Sequence, residues 1–177
     1  MKNISLDAFL REYSVAAKQQ ESAIKSFIKK HITTNYIKFL DKYAWCESII
    51  EASCFTKSGD IRVFKNNSAF RYVGFIMRMI DLYTDIKIDF EDGHFISQYD
   101  ELNKVGAIDY LVGGIPESEY TEFSTILNMK LDDIRDNEYS VTALLYNFKK
   151  SLNLTDDIIK QAFESDEVKN IISELDK

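Results

Sequence analysis

Glycine and proline are scarce in this chain, and their scarcity limits the folds that it can adopt. Six Gly and one Pro occur among 177 residues. Sandwiches and barrels join many short strands by tight turns, for which Gly and Pro are the usual residues. We therefore expect long helices joined by short polar connections, which is a mostly α protein. A chain of this length buries roughly two-thirds of the surface that its unfolded state exposes, so it needs no disulfide or metal to fold.

The segment Ser68–Tyr83 has the clearest helical pattern. It is apolar nearly all round, except for a stripe formed by Arg71, Gly74, Arg78 and Asp81, whose spacing follows one helical face. A helix that is apolar on most of its faces belongs in a core. We predict a compact helical domain packed around this central buried helix.

Two other segments favour extended structure and could add a minor two-stranded β element. Ile32–Leu40 is rich in Thr, Ile and aromatic residues, and Thr84–Phe90 alternates polar and apolar side chains. These two segments are candidates to pair with each other. Asp41 is then expected to cap a helix that runs through Phe55, and Thr56–Asp60 reads as a turn.

The apolar pattern divides the chain into three parts. Residues 1–31 are predicted to form an N-terminal helical element whose first helix is capped by Ser5. Residues 32–150 are predicted to form the core helical domain, and residues 151–177 a C-terminal helical appendage. We expect the appendage to be separable, because its apolar faces are short and a hydrophilic stretch divides them.

Cysteine usage and the start of the chain favour a cytoplasmic protein. Cys46 and Cys54 are eight residues apart on one predicted helix, a rise of about 12 Å, whereas the Cα atoms of a disulfide lie within about 7 Å of each other. Buried free thiols are the expected state. The first residues lack the apolar core of a signal peptide, and no run approaches the roughly 18 apolar residues of a membrane span.

Charge is distributed unevenly along the chain. Residues 1–80 hold 13 Lys and Arg against 7 acidic residues, whereas residues 81–138 hold 4 against 15. The acidic block has three interpretations: a solvated surface, an interface for a basic partner protein, or mimicry of nucleic-acid phosphates. The candidate partner-binding residues are Asp81, Asp85, Asp89, Glu91, Asp92, Glu117, Glu119, Glu122, Asp132, Asp133 and Asp136. The basic half has no recognition motif, so direct nucleic-acid binding is not expected.

The sequence has no recognisable catalytic, cofactor-binding or metal-binding motif. His31 and His94 are the only side chains that ordinarily titrate near neutral pH, and neither neighbours a nucleophile signature, so surface or capping roles are expected. Asp85–Gly93 is acidic but lacks the alternating ligands and closing Glu of an EF-hand. The Gly113–Gly114 pair is better explained by a helix terminus than by a phosphate cradle. We therefore expect a protein that is not an enzyme and needs no cofactor or metal.

Three stretches resemble a known group of proteins. They are Thr33–Phe39, Phe70–Asp89 and Tyr99–Ile134. They resemble small acidic hypothetical proteins encoded by tailed bacteriophages and prophages of Firmicutes, in or near the virion-structure genes. The resemblance covers roughly residues 32 to 148 in pattern and brings no catalytic residues.

The resemblance implies a phage-encoded protein that binds other proteins in the bacterial host cytoplasm. The first expected role is an accessory of virion or tail assembly, which would make the protein virion-associated. The alternative role is an inhibitor of a host defence complex, of the anti-CRISPR type, that acts by steric or electrostatic occlusion. The partner is thus a phage structural protein or a host defence protein, and no membrane partner is expected.

Overall fold

The structure is a computed structural model that describes residues 4–58 and 61–137. The described residues are mostly α-helical with minor β structure, which confirms the predicted fold class. Short connections join the elements, as the scarcity of Gly and Pro predicts. In chain order the elements are β1 (Ile4–Ser5), α1 (Leu6–Ala16), α2 (Glu21–His31), α3 (Phe39–Cys54), β2 (Phe55–Ser58), β3 (Ile61–Phe64), α4 (Ser68–Tyr83), β4 (Ile86–Lys87), a 3-10 turn (Glu91–Gly93), α5 (His94–Lys104), α6 (Ala107–Gly114) and α7 (Glu117–Asn137).

The chain divides into two compact units, residues 1–130 and 131–177. Of the second unit the structure describes residues 131–137, which are the end of α7. The predicted boundary between residues 150 and 151, and the whole predicted appendage, lie outside the described residues.

Helix α4 is the central element of the first unit. It packs against α3, α5, α6 and β4, and its bounds are those that the sequence predicts. The Asn67 side chain accepts a hydrogen bond from Phe70 N at 3.0 Å and caps the helix start. At the other end, Thr84 Oγ1 donates to Ile80 O at 2.6 Å. Buried apolar side chains line most of the helix, as its pattern predicts.

The two N-terminal helices also pack into the first unit. Ser5 Oγ accepts a hydrogen bond from Ala8 N at 3.3 Å, so the predicted cap of α1 is confirmed. Phe9 and Tyr13 are buried, and the Tyr13 hydroxyl donates to Gly106 O at 3.3 Å. Gly106 has φ 69°, a left-handed conformation that glycine adopts without steric cost, and it separates α5 from α6. The predicted N-terminal element, residues 1–31, thus contributes core side chains to the unit 1–130.

The β structure differs from the prediction in its pairing. Strand β4 pairs in parallel with β1, whereas the predicted partner segment Ile32–Leu40 meets it in one isolated bridge, Ile32 with Thr84. The prediction that Asp41 caps the next helix is wrong, because α3 begins two residues earlier, after Lys38. Asp41 lies in the first turn instead, where its negative charge favours the helix N-terminus.

A hairpin follows α3 where the sequence predicted only a turn. Strands β2 and β3 are antiparallel with Phe55 opposite Phe64, and the two rings are 5.7 Å apart in an edge-to-face arrangement. Aromatic cross-strand pairs of this kind stabilise a short hairpin. The prediction that α3 runs through Phe55 is wrong by one residue, because that residue begins β2.

Candidate protein-binding surface

Lys42 of α3 is buried completely, with 0% of its surface exposed. Its ammonium donates to Glu119 Oε2 at 2.9 Å and also to Glu122, both on α7. A buried lysine is stable only when its charge is paired and hydrogen-bonded. Burial by itself lowers the pKa of Lys42, but the hydrogen bonds that its ammonium donates to Glu122 and Glu119 outweigh burial and raise that pKa. Lys42 is therefore a fixed cation and not a nucleophile.

Glu119 joins Lys42 to two other parts of the fold. Its Oε2 accepts from the Tyr83 hydroxyl at 2.6 Å and from Ile37 N at 2.9 Å. Burial tends to raise the pKa of Glu119, but Tyr83, Ile37 and Lys42 together outweigh burial and lower it. Burial and this carboxylate also raise the pKa of Tyr83. We call Lys42, Tyr83, Glu119 and Glu122 the buried lysine cluster.

The buried lysine cluster fixes the connection between α2 and α3. Through Ile37 N it anchors that connection to α7, and Lys42 Nζ lies 5.3 Å from the centre of the Tyr36 ring. With the carboxylate held ionised and the lysine and phenol held protonated at neutral pH, the cluster has no free base or nucleophile. Its geometry suits a clamp rather than a catalytic site.

Four large apolar side chains are exposed within residues 36–43, around the start of α3. They are Tyr36, Phe39, Leu40 and Tyr43, and they are between 43% and 76% exposed. Phe39 and Tyr43, one helical turn apart, have ring centres 6.3 Å from each other. We call these four residues the aromatic patch. Single exposed apolar residues need no explanation, but several of them in one short segment are typical of an interaction site.

Helix α7 supports one side of the aromatic patch. The Lys130 ammonium lies 3.5 Å from the centre of the Tyr43 ring and 3.6 Å from a carboxylate oxygen of Glu47. A cation over an aromatic face is attracted by the ring quadrupole. This contact holds the Tyr43 ring in place and adds the Glu47 carboxylate to the rim of the patch.

Sequence reasoning missed both features, although the sequence contains a signal for them. Lys42 falls on the same helical face as Cys46, Ile49 and Ser53, which are all buried, so its spacing marks it as an interior residue. Leu40 lies on the outer side of α3, whereas its sequence context predicts an extended segment. The prediction that Cys46 and Cys54 are buried free thiols is confirmed, and burial raises the pKa of Cys46 to about 12.

Most of the candidate carboxylates already have a partner within the protein. Glu119, which is 5% exposed, and Glu122, whose side chain is 45% exposed, bind Lys42. The other pairs are Asp81 with Arg78 (3.2 Å), Asp85 with His31 (2.8 Å), Asp89 with His94 (3.0 Å), and Arg135 with Asp132 (3.2 Å) and Asp136 (3.0 Å). The remaining candidates, Glu91, Asp92, Glu117 and Asp133, are exposed, and no ion pair within residues 4–58 and 61–137 includes them.

Arg78 shows why pairing limits the acidic surface. Its guanidinium lies between the rings of Trp45 and Phe90, 3.9 and 3.6 Å from their centres. Burial lowers the pKa of Arg78, and Asp81 opposes that shift. The Asp81 carboxylate therefore compensates a part-buried cation and is not spare surface charge.

The two histidines have different environments. The expectation of a surface or capping role is wrong for His31, which is buried against Phe9 and Phe27, with Nδ1 at 2.8 Å from Asp85. His94 is exposed, and Asp89 raises the pKa of its imidazole. Among the described residues, no three His, Cys, Asp or Glu side chains gather as a metal site would require.

No family model matches this chain, and no curated protein and no solved structure is similar to it. Within residues 4–58 and 61–137, no helix combines the length and the apolar character that crossing a bilayer requires.

Proposed function

We propose that the protein is a non-catalytic protein-binding protein encoded by a bacteriophage, and that it docks on its partner through the aromatic patch. The observation that carries the proposal is the exposure of Tyr36, Phe39, Leu40 and Tyr43 beside a fully buried clamp. Protein interfaces concentrate their binding energy in a few large side chains, among which Tyr is enriched. Two of the four patch residues, Tyr36 and Tyr43, are of this type.

The buried lysine cluster supports the proposal because it preorganises the patch. Glu119 holds Ile37 N, and Lys42 lies beside the Tyr36 ring, so the connection that carries Tyr36 is ordered before a partner arrives. A surface that is already rigid loses less conformational entropy on binding, which favours affinity. Burial of a lysine carries a large desolvation penalty. An ordered connection between α2 and α3 with a role in binding accounts for that penalty.

Unpaired carboxylates favour a basic partner. Glu47 and Glu122 already pair with Lys130 and Lys42, but Asp41 in the first turn of α3 and Glu117 at the start of α7 are exposed, and no ion pair among the described residues includes them. Exposed charges at an interface rim affect the encounter rate and its salt dependence more than the final affinity. The aromatic patch thus supplies the affinity, and the carboxylates steer the approach.

The resemblance to phage proteins supports a role as an accessory of virion or tail assembly, with a phage structural protein as the partner. An inhibitor of a host defence complex would dock by the same kind of surface. The identity of the partner decides between these two roles, and both depend on the patch.

Affinity capture from phage-infected or lysogenic cells, followed by binding measurements with the purified partner, tests the proposal. The variant Tyr36→Ser/Leu40→Ser removes two patch side chains, and Val15→Ser/Tyr72→Ser removes two equally exposed apolar side chains that lie elsewhere. We expect the patch variant to weaken binding by about 2 kcal/mol or more, the usual effect of removing interface hot spots. The control variant should bind like the wild type. Equal binding by the two variants would refute the patch as the docking surface.

A further inference from the structure

A cleft separates α2 from α6, away from the contacts that form the buried lysine cluster. Its volume is about 530 Å³, within the range of roughly 300–1,000 Å³ that is usual for small-molecule sites. Ile28 and Ile32 contribute apolar surface, and Tyr110 contributes an aromatic ring. Lys25 and Lys29 in its lining are exposed, so the cleft is open to solvent.

Two glycines at the end of α6 make the cleft possible. A Cβ atom at Gly114 would lie 3.1 Å from Ile28 Cγ2 and 3.2 Å from Ile32 Cγ1, so this glycine lets α6 approach α2 closely. A Cβ atom at Gly113 would meet no atom within 4 Å, because that position faces the open space of the cleft. Gly114 therefore allows the close contact between α6 and α2 at the cleft, and Gly113 leaves the space of the cleft unfilled.

The charged groups of the cleft are arranged on opposite walls. Lys25 and Lys29 of α2 form one wall, and Asp109 with the Tyr110 hydroxyl forms the other. Glu21 pairs with Lys25 at 2.8 Å. In the part of the chain that the structure describes, no ion pair includes Lys29. Lys29 is therefore the cation on the α2 wall that is available to a ligand.

We propose that this cleft binds a small organic anion with a flat apolar body. The carboxylate of such a ligand is bound by Lys29, and its body lies on Ile28, Ile32 and the Tyr110 ring. Ammonium–carboxylate hydrogen bonds are among the strongest that a half-open site can form. The Tyr110 hydroxyl can donate to the same ligand or accept from it. A cationic ligand of the same shape cannot pair with Lys29, and Glu21 already neutralises Lys25.

Three probes with the same indole ring separate shape from charge. Indole-3-acetate is an anion, indole-3-acetamide is neutral and tryptamine is a cation. Isothermal titration of the full-length protein should show saturable binding of one indole-3-acetate per chain. Removal of a charge-assisted hydrogen bond costs about tenfold or more in affinity, so the amide should bind about tenfold more weakly. Tryptamine, which cannot pair with Lys29, should also bind at least about tenfold more weakly than indole-3-acetate.

Two variants locate the binding in the cleft. Gly113→Leu fills the open space at a helical position where Leu is favoured over Gly, and it should abolish binding of indole-3-acetate. Lys29→Gln should weaken binding about tenfold, whereas Lys18→Gln, an exposed lysine outside the cleft, should leave it unchanged. Circular dichroism and a thermal melt of each variant report whether the fold is retained.

The patch variant Tyr36→Ser/Leu40→Ser should bind indole-3-acetate like the wild type, since these side chains do not line the cleft. Three results would each overturn the proposal: indole-3-acetate does not bind, tryptamine binds as tightly as indole-3-acetate, or a folded Gly113→Leu variant binds indole-3-acetate like the wild type. If Gly113→Leu does not fold, Lys29→Gln tests the site instead, and unchanged binding of indole-3-acetate by that variant overturns the proposal.

Discussion

Replacement of Lys42 by Met should destabilise the first unit strongly. Met is similar in length to Lys and apolar, so the substitution retains most of the packing and removes the charge. It leaves the Glu119 carboxylate, which is 5% exposed, without a cation. Removing one partner of a buried ion pair typically costs about 3–5 kcal/mol. Because a domain of this size is stable by roughly 5–15 kcal/mol, the loss is a large fraction of the total.

A second substitution tests whether the buried charge is the cause. In Lys42→Met/Glu119→Gln no charge from this pair remains buried, and the Gln amide oxygen can still accept from the Tyr83 hydroxyl and Ile37 N. We expect the double variant to be more stable than Lys42→Met. Lys25→Met is the matched control, because it breaks an ion pair whose side chains are both largely exposed. Exposed pairs contribute little, so its stability should stay close to that of the wild type.

Trp45 provides the assay. It is the single tryptophan of the chain and lies on α3, one turn after Lys42, so its fluorescence during urea unfolding reports on the unit 1–130. An exposed ion pair contributes up to about 1 kcal/mol. If the free energy of unfolding of Lys42→Met lies within that amount of the wild-type value, the cluster does not stabilise the fold as we describe. A double variant less stable than the single would show that the loss has another cause.

The difference in the free energy of unfolding between wild type and Lys42→Met depends on pH, and the directions of the pKa shifts predict how. The pKa of Glu119 is lowered from its ordinary value of 4.5, so its contribution is present above that pH and is lost as pH falls through the lower folded value. The pKa of Lys42 is raised from 10.5, so its contribution is present below that pH and is lost as pH rises through the higher folded value. The stability difference between wild type and Lys42→Met should therefore be largest near neutral pH and should shrink in acid below 4.5.

Two further predictions concern the core and the base of the cleft. Phe75→Ala should destabilise the protein by about 3–5 kcal/mol, since it empties a buried aromatic site. Tyr72→Ala, on the exposed side of α4, should change the melting temperature little. Similar melting temperatures for the two variants would contradict the assignment of the core. Gly114→Ala should lower the melting temperature, because its Cβ would lie 3.1 Å from Ile28. Gly113→Ala should retain or raise the melting temperature, since alanine is the better helix former. A lower melting temperature for Gly113→Ala than for Gly114→Ala would contradict the close approach of α6 to α2.

The sequence contains enough local information to predict the helices. The bounds of α4 follow from an apolar pattern 16 residues long, and the start of α1 follows from Ser5, whose hydroxyl caps it within three residues. Both depend on interactions between residues that are neighbours in the chain. Such interactions have nearly the same geometry in any protein, so a pattern of spacing and caps is sufficient evidence.

The candidate surface is harder to predict, because composition gives a total charge and not the partner of each charge. The acidic block suggested an exposed interface, yet Asp85 lies beside His31, 54 residues away in the chain, and Glu122 binds Lys42 across 80 residues. A carboxylate that neutralises a part-buried cation cannot be distinguished from a solvated one by its position in the sequence. The aromatic patch was missed for a related reason: bulky side chains predict burial unless the packing of their element is known.

What the sequence determined by itself is the mostly helical fold class, the central helix and the buried free thiols, because each depends on spacing within a single helix. Tertiary structure alone decided which charges pair with each other, which apolar side chains remain outside, and where the cleft lies. The buried lysine cluster joins side chains from three helices, and its ions tolerate burial only because folding brings them within hydrogen-bonding distance of one another. That distance depends on the path of the whole chain, and no local pattern encodes it.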